Sequence, residues 1–593
     1  MGVATSLSGR RWVWRTALGG AGGVDLIERA GLGIAQRLDV SDMVGRLLAG
    51  RGIGIDRAAD FLDPTLRALM PDPDVLADMP TASARLADAV QTGETVAVFG
   101  DYDVDGASSG ALMAGYLRDL GCNVLSYVPD RLSEGYGPNA PALRSLAAQG
   151  ATLIVCVDCG TAAGEALAAV KGIADVVVLD HHKAEGLPPD VIATVNPNRL
   201  DCTSGLGMLC AAAIALLAAV ATTRVLRRRG HFGAGREPDM MALLDLVALA
   251  TVCDVMPLTG LNRAFVTQGL KVMARRERVG INALLDVAAV KDRPSAMTLG
   301  FALGPRINAA GRISEADMGL RLLLCQDTIE ARGIAEALDA INRQRQAVEA
   351  GMLDDALLAA EQQIAAGHAA VLVAGVQWHP GVVGIVAGRI KERFNRPACV
   401  AGIADGIAKG SGRSVVGLDL GSAIIAARQH GILLTGGGHA MAAGFSLAEA
   451  SISRFHAFLD ERLAAARHLP SAADLIVEAS VSVPGCTVDL AQQISKLSPF
   501  GNGNEEPLLI LPRCRIVRAD RVGKEGNTIR AFIEGEGGGG RLKGVMFRAR
   551  EGAVADALLA RDNAPLHIAG QLRAEEWNGS TSASFIIADL ARA

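Results

Sequence analysis

Aromatic residues and excess positive charge are both scarce in this chain of 593 residues. Phe, Trp and Tyr make up 4% of it, so a surface that binds bases by stacking can draw on few side chains. The formal net charge of −5 argues against a uniformly basic coat for nucleic acid. It leaves room for a local basic channel, because net charge averages over the whole surface.

Disulfide bonds and membrane spans are also not expected. Ten cysteines are too few for a framework in this length, and no signal-peptide pattern precedes them. Cys156 and Cys159 have CxxC spacing, but no second pair completes a zinc site, so buried thiols are favoured. Residues 205–223 are uncharged and long enough to cross a bilayer, yet their Ala and Gly content favours a buried helix. We expect a cytoplasmic protein with reduced thiols and no membrane contact.

Short apolar runs alternate with Ala- and Leu-rich helical stretches between about residues 81 and 260. This alternation predicts βαβ units and a parallel sheet. The expected strands are residues 96–99, 124–128, 153–157, 176–179 and 191–195. Because the carboxyl ends of parallel strands share one edge of a sheet, the polar residues that follow them should converge there.

Acids and histidines follow these runs, and one more acid follows the apolar, helix-like residues 243–252. They are Asp101, Asp103 and Asp105 in the motif GDYDVDG, then Asp158, Asp180, His181, His182 and Asp254. Taken singly, each acid is more often a cap or turn residue, and each His a core or surface group. Their convergence from separate element ends instead predicts a metal site. Carboxylate and imidazole ligands together suit Mn²⁺ or Mg²⁺.

The segments GDYDVDG, VDCG, LDHHK and TVCDVMPL resemble, in this order, the four motifs of the DHH phosphoesterase superfamily. The whole chain is similar to the bacterial single-stranded-DNA-specific exonucleases of that superfamily. The resemblance implies an α/β fold with a parallel-sheet DHH domain, an α/β DHHA1 domain joined by a long helix, and a small OB-like β-barrel. The expected parts are a helical preface (1–80), the DHH catalytic domain (81–315), long connecting helices (316–366), the DHHA1 domain (367–465) and the OB-fold-like domain (466–593).

Three glycine-containing stretches extend the resemblance. GPRINAAGRI begins at Gly304, and GSGRS and GGGHAMAAGF lie in the expected DHHA1 domain. Gly lets backbone amides approach a phosphate, and in the resembling proteins the last two stretches contact the 5′ end of the strand. For the first stretch, a Gly-bracketed turn with solvated arginines is the alternative. The expected substrate-binding residues are Arg306, Asn308, Arg312, Ser411, Arg413 and His439.

The C-terminal residues predict short strands with tight turns, including a hairpin at Asn578–Gly579. The segment SPFGNGNEEP resembles the start of the OB-fold in the same exonucleases. An OB barrel binds single strands along a basic groove with stacking side chains, here Phe547 or Trp577. The bases that could line this groove, unless each is simply solvated, are Arg513, Arg515, Arg518, Arg530, Arg541, Lys543, Arg548 and Arg550.

The resemblance implies a 5′-to-3′ exonuclease of DNA recombination and repair that uses two metal ions and releases 5′-mononucleotides. Asp158 would bridge the ions, and Asp101 would either ligate an ion or orient a ligand. His182 would contact the scissile phosphate or help the leaving oxygen, and Asp180 would orient a histidine. The remaining implied ligands are Asp103, Asp105, His181 and Asp254.

Two other functions stay open at this point. One is a phosphodiesterase for short RNA or cyclic dinucleotides, although such relatives usually need only the first two domains. The other is a non-catalytic DNA-binding scaffold, although such relatives lose metal ligands that this chain retains. The expected partner is single-stranded DNA with a 5′ end. The resemblance also implies single-strand-binding protein and repair helicases, for which the sequence offers no docking residue.

Overall fold

The computed structural model describes residues 2–18, 23–131, 133–184, 186–233, 237–523, 526–538, 540–560, 562, 564–577 and 579–593, with only the backbone of Leu18 and Trp577. The chain divides into two compact units. The central unit comprises residues 60–345 and 499–505. The composite unit comprises residues 1–59, 346–498 and 506–593.

The N-terminal elements are one short strand followed by helices. Ser41 is the N-cap of the helix that begins at Asp42, because its hydroxyl accepts from the amide of Val44. The elements are β1 (Trp12–Trp14), α1 (Arg15–Leu18), α2 (Gly23–Leu38), α3 (Asp42–Gly50), α4 (Ile55–Leu62), α5 (Leu66–Leu69) and α6 (Met79–Thr92).

A five-stranded parallel sheet forms the core of the central unit, as the alternating pattern predicts. Val96 and Val98 face one hydrophobic core, and Ala97 and Phe99 face the other, so both faces of the sheet are covered. The strand order is β3-β2-β4-β5-β6. The elements are β2 (Thr95–Gly100), α7 (Val104–Asp119), β3 (Asn123–Tyr127), α8 (Ala140–Ala148), β4 (Leu153–Val157), α9 (Gly164–Leu167), β5 (Asp175–Leu179) and β6 (Ala193–Val195).

Helices follow the sheet. The uncharged residues 205–223 contribute to a helix that packs in the core, as their composition predicts. In the described part of the chain, no helix is both long and apolar enough to cross a membrane. The elements are α10 (Ala211–Arg228), α11 (Leu244–Cys253), α12 (Gly260–Met273), α13 (Val279–Val287), a π-helical turn (Thr298–Leu303), α14 (Gly304–Ile313), α15 (Met318–Leu324) and the long α16 (Thr328–Ala365).

A second sheet, in the composite unit, has the strand order β10-β11-β9-β8-β7. Its β7 and β8 strands are parallel, and the other neighbouring strands are antiparallel. The elements are β7 (Val371–Val376), α17 (Val383–Phe394), β8 (Ala398–Ala404), β9 (Ile407–Arg413), α18 (Leu420–Gln429), β10 (Thr435–His439), β11 (Ala442–Ala448) and α19 (Ile452–Arg462).

The C-terminal strands form a closed barrel of the OB type. Its first long strand pairs with two others, its third and fifth strands are parallel, and a helix separates the third from the fourth. The predicted hairpin joins the last two strands, although Asn578 and the Trp577 side chain lie outside the described residues. The elements are β12 (Leu475–Val477), β13 (Ala479–Ser480), α20 (Val488–Ser495), β14 (Leu509–Val522), β15 (Thr528–Gly535), β16 (Arg541–Met546), α21 (Ala553–Leu559), β17 (Leu566–Trp577) and β18 (Ser580–Arg592).

The start of the chain is attached to this barrel. Strand β1 pairs with β12 in parallel, and the indole Nε1 of Trp12 donates to Asp589 Oδ2 at 2.9 Å in a buried contact. A buried indole N–H needs such a partner. The N-terminal strand therefore packs with the C-terminal barrel inside one unit.

Candidate metal centre

The motif GDYDVDG forms the turn from β2 into α7. Asp103 is the N-cap of α7, because its Oδ1 accepts from the amides of Asp105 at 2.8 Å and Gly106 at 3.1 Å. Gly106 is required for this turn, since a Cβ there would lie 2.3 Å from the carbonyl oxygen of Asp101. Carboxylate oxygens of Asp101, Asp103 and Asp158 consequently lie within 4.8 Å of one another.

Asp158 directly follows β4, the neighbour of β2 in the sheet. Its φ of 61° lies in the left-handed region, which is strained for a residue with a side chain. Such strain is typical of functional sites. Its Oδ1 lies 3.2 Å from His181 Nε2, so Asp158 belongs both to the group at the β2 turn and to a group that contains the histidines.

A further group combines Asp105, His181 and Asp254. The His181 Nε2 atom lies 3.7 Å from Asp105 Oδ2 and 3.5 Å from Asp254 Oδ2. Asp105 is held in place because its two carboxylate oxygens accept from the amides of Ala211 and Ala212 at the start of α10. Asp254 directly follows the last residue of α11.

Three carboxylate oxygens in this cluster are buried without a hydrogen bond: Asp101 Oδ1, Asp158 Oδ1 and Asp254 Oδ2. An unpaired buried carboxylate is strongly disfavoured, and a bound cation removes that penalty. Oxygen-rich sites with one imidazole suit Mn²⁺ and Mg²⁺. The donor atoms present therefore fit divalent cations.

Burial and mutual repulsion raise the pKa values of these acids. Burial, followed by the charge of Asp103, raises the pKa of Asp105 to about 7, and burial with the charge of Asp105 raises that of Asp254 to about 8. The pKa values of Asp101 and Asp158 are raised well above their ordinary range, chiefly by burial. Protonation or a bound cation relieves this burial and repulsion, so the cluster is suited to bind protons or metal ions.

The two histidines of LDHHK have different protonation. Burial, and then the charge of His182, lowers the pKa of His181 to about 4, so His181 is neutral and able to ligate at neutral pH. For His182, a 2.8 Å contact between Nδ1 and Asp180 Oδ1 outweighs burial and raises the pKa to about 9. Against the opposing effect of burial, the same contact holds the pKa of Asp180 below its ordinary range. His182 is therefore an imidazolium paired with a carboxylate.

Sequence reasoning missed three side chains that help to hold His181 and His182 in place. The Tyr136 hydroxyl donates to the carbonyl oxygen of Asp158 at 3.0 Å and lies 3.0 Å from His182 Nδ1. The Nδ2 groups of Asn196 and Asn198 donate to the carbonyl oxygens of His182 and His181, respectively. The signals were weak: Tyr136 lies between two glycines in a loop, and both asparagines follow the last strand of the sheet.

Residues 304–313 form helix α14, so the alternative of a Gly-bracketed turn is wrong. Pro305 at the first turn is compatible with a helix start. Arg306 pairs with Asp339 of α16 at 2.9 Å and donates to the Ala302 carbonyl oxygen, so phosphate binding by Arg306 requires exchange of that carboxylate.

The other two predicted residues of α14 lie at the acidic turn. Asn308 Oδ1 accepts from the amide of Val104 at 3.1 Å, which stabilises the start of α7. The positive charge of Arg312 acts on the Tyr102 hydroxyl, although burial dominates and raises the pKa of Tyr102 to about 12. The Asn308 contact braces the GDYDVDG turn from the side of α14.

In the composite unit, β9, β11 and β10 bring the three remaining predicted residues onto neighbouring strands. The register aligns Arg413 with Ala442, and Ala442 with His439. Arg413 Nη1 donates to Ser411 Oγ at 2.9 Å. A Cβ on Gly384, in the first turn of α17, would lie 3.0 Å from that Oγ, so the hydroxyl lies close to a helix N-terminus. This combination of groups is suited to an anion.

Comparisons with known proteins agree with this architecture. Three family models match the chain: "DHH family, N-terminal domain" over residues 95–251, "DHHA1 domain" over residues 368–465, and "RecJ OB domain" over residues 477–589. Single-stranded-DNA-specific exonuclease RecJ of Dickeya dadantii is 38% identical over 568 residues, which cover 92% of this chain and 96% of that protein. The exonuclease of the same name from Escherichia coli is 36% identical over 568 residues, with coverage of 93% and 96%.

Solved structures give the same result. The chain is similar to Thermus thermophilus RecJ in complex with Mn²⁺, with a TM-score of 0.79 and 29% identity over 95% of this chain and 78% of that one. The Mg²⁺ complex of that protein matches with a TM-score of 0.74 and 28% identity, over 95% and 77% of the two chains.

Proposed function

The chain belongs to the RecJ family of single-stranded-DNA-specific exonucleases, and we propose that it hydrolyses single-stranded DNA from the 5′ end, releasing 5′-mononucleotides. The observation that carries the proposal is the pair of ligand groups that meet at Asp158 and His181. A non-catalytic scaffold has no need for such groups, whose charges disfavour one another without cations. The proposed setting is DNA recombination and repair in the cytoplasm.

Two ions of Mn²⁺ or Mg²⁺ are assigned to the centre. Asp101, Asp103 and Asp158 would hold one ion, and Asp105, His181 and Asp254 the other, with Asp158 shared. When bound, the ions supply an activated water and stabilise the charge that develops on the phosphate.

Side chains of the protein are proposed to orient the ligands and to supply a proton. Asp105 is oriented by two amides of α10, and His181 presents a neutral Nε2 to three carboxylates. His182 carries a proton that can be donated to a phosphate oxygen or to the leaving oxygen, while Asp180 keeps its ring in place. Asp180 is thus proposed as a positioning residue, and His182 as a catalytic one.

The 5′ end of the strand is assigned to Ser411, Arg413 and His439. An arginine and a hydroxyl beside a helix N-terminus suit a terminal phosphate. The family membership supports single-strand-binding protein and repair helicases as further partners. Arg413→Ala should lower the preference for a 5′-phosphorylated end over a 5′-hydroxyl end, while Arg393→Ala, an exposed arginine of α17, should leave it unchanged.

The proposal is tested with single-stranded DNA labelled at either end, duplex DNA, and a length series of single-stranded RNA, each with Mn²⁺. We expect labelled mononucleotide to appear at once from 5′-labelled DNA, and only late from 3′-labelled DNA. Preferential cleavage of dinucleotides or short RNA would favour the other phosphodiesterase function. Binding of DNA without any cleavage would favour the scaffold.

A further inference from the structure

Exposed aromatic side chains are rare in this protein. Among the residues whose side chains the structure describes, the exposed Phe, Trp and Tyr residues are Tyr136, Phe301 and Phe547. Phe301 is the most exposed of the three, at 71%. Leaving an aromatic ring in water forgoes the free energy of its burial, so the position of Phe301 needs a physical explanation.

Phe301 lies on the π-helical turn Thr298–Leu303. Such turns are rare and occur frequently at functional sites. The turn packs on the end of α11, where Cys253 Sγ lies 3.4 Å from the Leu299 carbonyl oxygen. Cys253 immediately precedes Asp254, so the turn that carries Phe301 packs against the end of α11 that leads into a predicted metal ligand.

The same segment is fixed at its other end. A Cβ on Gly304 would lie 2.5 Å from Cys253 Sγ, and α14 continues from there to Asn308, which holds the start of α7. The segment from the π-helical turn to α14 therefore connects the Asp254 side of the centre to the Asp103 side. Val255, which follows Asp254, is also exposed and apolar, at 65%. A second exposed apolar side chain thus directly follows one of the predicted ligands.

We propose that Phe301 is a stacking platform for a nucleobase close to the scissile phosphate, and so a determinant of substrate binding by the metal centre. This inference rests on the proposed function. Single-stranded nucleic acid is held by aromatic rings that stack on its bases, which are exposed because no complementary strand covers them. An exposed ring on a turn that packs against the end of α11, next to Asp254, is suited to this role, and it also disfavours duplex DNA, whose bases are already stacked.

The test compares Phe301→Ala, Phe301→Leu and Phe301→Trp on single-stranded DNA. Loss of a stacked base should raise KM and the dissociation constant roughly five- to hundredfold in the Ala and Leu variants, while Trp retains near-normal values. Ile173→Ala is the matched control, an exposed apolar side chain just before β5, at the end of the strand opposite Asp180, whose loss should leave KM and the dissociation constant unchanged. Thermal unfolding checks that each variant is folded. Because the Phe301 ring is exposed, its replacement should disturb folding little.

A second arm places a single abasic nucleotide at each of the first positions from the 5′ end. At one of these positions, the abasic nucleotide should lower the affinity of the wild type as much as Phe301→Ala lowers the affinity for intact DNA. Combining the variant with that abasic DNA should cause no further loss. Equal KM values for the wild type and Phe301→Ala, full function of Phe301→Leu, or multiplicative losses would overturn the proposal.

Binding constants for the same oligonucleotides, measured by fluorescence anisotropy without added metal, separate this inference from the proposed function. If the wild type cleaves no DNA, the proposed function fails. The comparison of Phe301 variants with abasic DNA still decides whether the ring stacks on a base.

Discussion

The metal centre of the central unit and the basic surface of the barrel use charge in opposite ways. At the metal centre, buried carboxylate oxygens of Asp101, Asp158 and Asp254 have no hydrogen bond. In the barrel, bases are neutralised by nearby acids, as in Arg513–Glu536, Arg518–Asp520, Lys543–Glu575 and Arg573–Glu506. A buried charge without a partner implies a ligand, whereas a paired surface charge does not.

We therefore expect the metal centre to determine the rate of hydrolysis and the barrel to contribute to the affinity for DNA. The metal centre is built so that cations complete it, and loss of a single ligand should be severe. The barrel must exchange existing ion pairs before it contacts phosphates, so its individual bases should contribute little. Of the bases predicted to line its groove, Arg515, Arg530, Arg548 and Arg550 carry no ion pair within the part of the chain that the structure describes.

The largest effect is expected from Asp158→Ala. This change removes the carboxylate shared by the two ligand groups, and hydrolysis with saturating Mn²⁺ should fall roughly a thousandfold or more, while DNA binding stays largely intact. Initial rates on 5′-labelled single-stranded DNA give the measurement. Asp190→Ala, which alters an exposed acid of the same unit, should keep normal rates. Substantial cleavage by Asp158→Ala would contradict the assignment.

Tyr136→Phe should have the next largest effect. It removes only the hydroxyl that contacts the Asp158 carbonyl oxygen and the His182 ring, so kcat should fall roughly 10- to 100-fold with little change in KM. Tyr127→Phe removes a hydroxyl that contacts Glu134 elsewhere in the unit and serves as the control. Equal kcat values for the two variants would exclude a positioning role for Tyr136.

The next effect is expected in the pH dependence of stability without metal. Between pH 6.5 and 8, Asp105 and Asp254 retain protons in the folded state that they have released in the unfolded state, because burial raises their pKa to about 7 and about 8. The raised pKa of His182, about 9, acts in the same direction. The lowered pKa of His181 acts in the opposite direction but less strongly, so the free energy of unfolding should fall by about 3–4 kcal/mol across this window.

Denaturant unfolding in EDTA at the two pH values measures this change. Asp254→Asn should flatten the dependence, because it replaces one of the titrating acids with a neutral side chain of similar size. Saturating Mn²⁺ should also flatten it, since bound ions hold the acids ionised. Constant or rising stability of the metal-free wild type from pH 6.5 to 8 would contradict the account of the cluster.

The smallest effect is expected at the barrel. Arg530→Ala should weaken binding of single-stranded DNA only about two- to threefold at physiological salt and lower the salt dependence by about one counterion. Arg518→Ala should change binding even less, because Arg518 already pairs with Asp520. Salt titrations of both variants give the comparison. A loss above tenfold in either would show that the barrel dominates affinity.

The acids and histidines of the cluster could be predicted from the sequence, because each follows an apolar run whose end is easily placed. The contacts that give these acids and histidines different roles could not be predicted in this way. Asp180 selects His182 rather than His181 through the turn after β5, and Tyr136 reaches Asp158 from a loop with no periodic pattern. Both depend on loop conformation, which apolar periodicity does not encode.

The predictions of phosphate-binding residues were limited in a similar way, because the sequence does not show which charged side chains pair with each other. Arg306 looked available in its own segment, but its partner Asp339 lies 33 residues further along, in α16. Two glycines and one proline also concealed the helical character of residues 304–313, which the packing of Gly304 and Gly311 against neighbouring elements makes favourable. Pairing between distant charges therefore has to be observed in the fold.

The most direct test of the central claim is the number of metal ions at the cluster. A crystal structure of the protein soaked in Mn²⁺, with anomalous data at the manganese absorption edge, should contain two peaks that share Asp158, one beside Asp101 and Asp103 and one beside Asp105, His181 and Asp254. A single peak, or peaks that do not contact Asp158, would contradict the account.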